Sequence, residues 1–191
     1  MLLMSACVAA LLSGQVECLV ARMPDGELLL VKIGSADHVD LPPRIDGQLL
    51  TPGEGVALVH SHPRGLGLSG DDLMQLIKPG VRSIEALGSD GSRYRAARGP
   101  RFDPATFSTV WRRAMQLVPR FLQMDGLPSD DQLAMKREGN HLICLALDDA
   151  GVIAYDARLS AFHSAAALRQ AARVTRARAA IAGVIRHELP R

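Results

Sequence analysis

The run Val56-Ala57-Leu58-Val59-His60-Ser61-His62-Pro63 constrains the fold more than any other stretch of the chain. Its apolar start is short and nearly unbroken, the pattern of a buried central strand. Strand side chains alternate faces with period two, so His60 and His62 point the same way and can grip one metal ion together. Pro63 has no N–H to give to a ladder, so the chain must leave the sheet there. A glycine-rich turn follows (Arg64-Gly65-Leu66-Gly67-Leu68) and then Ser69-Gly70-Asp71-Asp72. Ser69 suits a helix N-cap, and the two aspartates fall in the first turn, where the helix dipole favours negative charge.

Around this strand the chain reads as α/β. Residues 16–22 and 27–33 form a hairpin about Met23-Pro24-Asp25-Gly26, and residues 81–87 and 92–97 form a second about Ser89-Asp90-Gly91. The apolar start, residues 1–12, reads as a buried first helix stopped by Gly14 rather than a targeting segment. It lacks a basic leader and is well short of the roughly 20 residues that span a bilayer. Residues 34–55 hold three prolines and little periodicity, which predicts a loop or irregular strand and a poor helix.

Beyond Gly99-Pro100 the text changes. Asp103-Pro104 opens an amphipathic helix to about residue 124, with a kink expected at Pro119. A short helix over 129–137, strands over 141–147 and 152–159 about Asp148-Asp149-Ala150-Gly151, and one long helix over 160–187 complete the expectation. On that last helix Arg169, Arg173 and Arg176 share a face, read as solvated. Residues 1–100 are thus expected to form the core, and 101–191 an α+β extension that either lengthens the sheet or makes a separate layer.

Composition narrows the partners. A formal charge of +2 and 22% charged residues argue against nucleic acid or a membrane surface. Cys7, Cys18 and Cys144 are far apart with no Cys-x-x-Cys spacing, which argues against a disulfide framework or a cysteine-ligated zinc site and suits a reducing cytoplasm.

Two imidazoles and a carboxylate from Asp72 would give three N/O ligands and one open position, the description of a catalytic zinc site. Such a site lowers the pKa of bound water to about 7. Amide cleavage there needs a base, and Glu17 on the first strand is the best upstream carboxylate, with Glu27 and Glu54 as rivals. It also needs a donor toward the developing oxyanion, for which Ser69 is placed. Ser69 and Asp72 also have the spacing of a reciprocal helix cap. The His-x-Glu and Pro-Cys-x-x-Cys signatures of zinc nucleobase deaminases are both missing.

His60-Ser61-His62-Pro63 and Ser69-Gly70-Asp71-Asp72, with Glu17 upstream, resemble the JAB/MPN family of zinc metalloproteases, also called JAMM proteases, here as a bacterial member. The resemblance covers about residues 1–100, in the family's element order. It implies an MPN-like mixed sheet flanked by helices, with zinc on His60, His62 and Asp72. Glu17 would be general base and acid, and Ser69 would steady the tetrahedral intermediate. The expected activity is hydrolysis of a peptide or isopeptide bond in a protein or peptide substrate, ubiquitin-like tails included. A non-catalytic MPN-like scaffold is the alternative. The turn from Arg64 to Leu68 has five residues where the family usually has six, which keeps Asp71 beside Asp72 as a possible ligand, although the Ser-x-x-Asp register favours Asp72.

Overall fold

The computed structural model describes residues 16–35, 38–53, 55–63, 65–122 and 138–189. The helices expected over 1–12 and 129–137 lie outside these residues. Six strands form one mixed sheet: β1 (Cys18–Arg22), β2 (Leu28–Ile33), β3 (Val56–His62), β4 (Val81–Gly88), β5 (Arg93–Arg98) and β6 (Ile153–Arg158). Their spatial order is β2-β1-β3-β4-β5-β6, and only the β3–β4 pair is parallel. The helices are α1 (Pro43–Leu49), α2 (Gly70–Met74), α3 (Phe107–Leu122), α4 (Gly139–Asp149), α5 (Ala161–Arg169) and α6 (Ala171–Glu188).

Alternation decides which way each strand faces. Leu19, Leu58, Ile84, Ala86, Tyr94 and Ala96 lie on the same face as His60 and are buried under the helices in one continuous apolar cluster. Helices α3 and α4 both pack on α6. The other face carries Arg93, Arg95 and Asp156, all exposed. The second half of the chain therefore lengthens the sheet through β6, antiparallel to β5, and closes the core through α3, α4 and α6.

Four expectations need correction. Residues 141–147 are helical, within α4, and not a strand. A short apolar run carries no period to separate a buried strand from a buried helix. Its Ala150-Gly151 end, taken for a β-turn, is a Schellman close: Gly151 has φ +75°, its N–H donates to Asp148, and Val152 N–H reaches back to Leu147. Within residues 34–55, a helix does form at Pro43–Leu49, because proline at the first helical position loses no hydrogen bond. The expected final helix is two, broken at Gln170. Arg173 in α6 donates to the Leu122 carbonyl rather than facing only solvent. Trp111 and Leu122 are buried as core side chains, while Met115 is exposed.

The helical assignment of α4 has a measurable consequence. Ile143 and Leu147 are fully buried and Leu145 only partly so, whereas a strand would place all three on one face. Ile143→Ala should cost about 2–5 kcal/mol in denaturant unfolding, and Leu145→Ala clearly less. Equal losses would speak for a strand.

Candidate metal centre

The ends of β3 and α2 bring the centre together. His60 and His62 project from one face of β3, and the turn after Pro63 returns the chain to Ser69, the N-cap of α2. The Ser69 hydroxyl accepts from Asp72 N–H at 3.1 Å, and the Asp72 carboxylate accepts from Ser69 N–H at 2.6 Å. This capping box fixes the carboxylate's orientation as well as the helix start. It aims Asp72 at the histidines: its oxygens lie 3.1 Å from His60 Nε2 and 3.5 Å from His62 Nε2. The two Nε2 atoms are 2.7 Å apart.

Those separations test the fit to a metal. Ligands at roughly 2.0–2.1 Å from a tetrahedral zinc ion lie roughly 3.3 Å from one another. Distances of 2.7, 3.1 and 3.5 Å bracket that value. The His62 ring is oriented from behind: its Nδ1 is 2.7 Å from the Leu66 carbonyl, to which it donates, so that Nε2 faces His60 and Asp72. His60 Nδ1 is buried with no hydrogen-bond partner among the described residues. The turn is braced by the β4–β5 hairpin, where Ser89 N–H donates to the His62 carbonyl and Ser89 Oγ to that of Pro63.

Electrostatics point the same way. Burial alone would raise the Asp72 carboxyl, but the charge of His60 and the hydrogen bonds from both imidazoles outweigh it and hold the group well below the usual range. Burial disfavours charge on His62, and the Asp72 hydrogen bond and charge overcome that, so its pKa is raised. Both shifts record the attraction between the Asp72 carboxylate and the two imidazoles. The three form a group able to hold a metal ion.

Glu17 lies one residue before β1 yet is held in the ladder, its N–H donating to Ser35 and its carbonyl accepting from Gly34. The β1–β3 pairing ends at Leu19 and His60, and Glu17, two residues before Leu19, falls on the same face of its strand. Burial raises its carboxyl above the ordinary value, offset in part by His62 and His60. Both Glu17 and Ser69 line a cleft of about 450 Å³ with the three candidate ligands. Asp71 is exposed at its rim, so Asp72 is the aspartate that meets the histidines. Glu27 is exposed in the β1–β2 turn, away from the cleft lining, and Glu54 lies outside the described residues.

Several cleft residues carried no spacing signal in the sequence. His38 and Asp40, joined at 2.6 Å, stand on one rim. At another point Lys78 is held by Asp46 and by Gln75. Asn140 enters from α4. They come from separate elements, so only the assembled fold brings them to one place.

No helix among the described residues is long and apolar enough to cross a membrane. No protein-family model, no curated protein and no solved structure matches this chain.

Proposed function

We propose that this chain is a zinc-dependent peptidase or isopeptidase of the JAB/MPN type. The observation that carries this reading is the convergence of His60, His62 and Asp72, with Glu17 lining the same cleft from just before β1. The order of elements supports it too: a hairpin led by the glutamate, the central strand with the His-x-His-Pro end, a capped helix and a second hairpin.

His60, His62 and Asp72 would hold the ion. When bound, zinc supplies a water acidified to near neutral pKa and polarises the scissile carbonyl. Glu17, made more basic by burial, takes a proton at its carboxylate and returns it to the leaving nitrogen. The Ser69 hydroxyl accepts from Asp72 N–H, and its own hydrogen remains available to donate to the oxyanion. No side chain in this set needs to form an acyl intermediate. The cleft suits a slender peptide segment, such as a glycine-ended ubiquitin-like tail joined to an amine. Cys18 and Cys144 are buried and not disulfide-bonded, which accords with a cytoplasmic setting.

Metal analysis of the full chain is the first test. One zinc per chain is expected, and a chelator should remove it together with hydrolysis of a peptide whose terminal Gly-Gly is joined to a fluorescent amine. Protein that stays metal-free at neutral pH in the presence of zinc would overturn the reading and favour a non-catalytic scaffold.

A further inference from the structure

Among the neutral polar side chains that line the metal cleft, Ser69 and Gln75 each accept a hydrogen bond within the fold. Ser69 Oγ accepts from Asp72 N–H, and Gln75 Oε1 accepts from Lys78 at 2.6 Å. Asn140 also lines the cleft, half-buried, and its carboxamide makes no hydrogen bond among the described residues. It sits in the first turn of α4, far along the chain from the metal motif. That turn abuts the segment after Pro63: a Cβ built on Gly67 would lie 3.6 Å from the His141 backbone nitrogen. Gly67 directly follows Leu66, whose carbonyl orients the His62 ring.

A carboxamide offers two N–H donors and an acceptor oxygen, the complement of a peptide group's C=O and N–H. A ligand that reaches this carboxamide can pair with it without first breaking a contact inside the fold. We propose that Asn140 binds the main chain of an extended peptide substrate beside the metal, donating to a backbone carbonyl. The second half of the chain then contributes directly to substrate binding. Because the contact is with main chain, it selects an extended peptide backbone rather than particular side chains. The inference rests on the amide-hydrolase reading above.

Two hydroxamates separate the possibilities by calorimetric titration of the zinc-loaded full chain. Acetohydroxamate engages the metal but is too short to extend along the cleft, whereas Ala-Gly-Gly hydroxamate carries peptide groups beyond it. Asn140→Ala should keep its zinc and its acetohydroxamate affinity, and bind the tripeptide compound about tenfold more weakly. Asn140→Asp has the same shape but no donor, and should show the same loss. Tripeptide affinity equal to wild type in both variants would overturn the role of Asn140 alone. A parallel loss of both hydroxamates would also overturn it, by showing that the residue only shapes the metal centre. Wild-type protein that takes up no zinc, or binds neither compound, would instead bring down the hydrolase reading and this inference with it.

Discussion

His62→Ala is expected to leave the chain without zinc. The substitution removes one of three ligands and also the ring that the Leu66 carbonyl orients at 2.7 Å, so neither ligand count nor preorganisation survives. Stability makes the loss visible without any substrate. A ligand at about 1,000 times its Kd stabilises a fold by about 4.1 kcal/mol. For a chain of this size each kcal/mol moves Tm by roughly 2–4 °C. Saturating zinc should therefore raise the wild-type Tm by about 8–16 °C over the chelated protein, and should leave His62→Ala unmoved. Asp72→Ala should lose the metal response too, and in addition the reciprocal cap on α2, worth roughly 0.5–2 kcal/mol even in metal-free protein. Mass spectrometry and thermal melts check both variants. Undiminished zinc binding by His62→Ala would mean that the ion, if any, lies elsewhere.

The centre was legible in the sequence to the extent that its rules are local. Two histidines on one strand face follow from a period of two, and Ser69 with Asp72 follows from the spacing of a helix cap. Neither needs knowledge of what packs where. Glu17 is intermediate: its strand was readable, but its place in the cleft depends on the β1–β3 register, which the buried faces of both strands set only after they pair. Residues 141–147 failed because a continuous apolar run satisfies a buried helix as well as a buried strand, and only packing on α6 and the close at Gly151 choose between them. α1 was obscured by prolines that are harmless where they fall. The pairing of β6 with β5, and the arrival of Asn140 at the cleft, join residues dozens of positions apart and leave no periodic trace.

Glu17→Gln separates chemistry from metal binding. Glutamine matches the shape of glutamate and keeps its polarity but cannot serve as a base near neutral pH. Glu17 is not among the three side chains that converge on the ion position, so the variant should carry the same zinc and show nearly the same zinc-dependent rise in Tm. Glu17 lines the same cleft as the metal group, and burial strengthens its hold on a proton, both of which suit a group that shuttles one between water and a leaving amine. General acid–base catalysis contributes about 10²–10⁴-fold, and kcat should fall by about that factor on the Gly-Gly amide substrate. Glu27→Gln is the matched control: that residue is exposed in the β1–β2 turn, and its variant should be indistinguishable from wild type. If Glu17→Gln turned over at the wild-type rate with full zinc, the base would have to be another group. Loss of both zinc and turnover would make Glu17 a ligand, or a support for one, instead of a proton carrier. The hydrolase reading predicts only the remaining combination, an intact metal centre with its turnover largely gone.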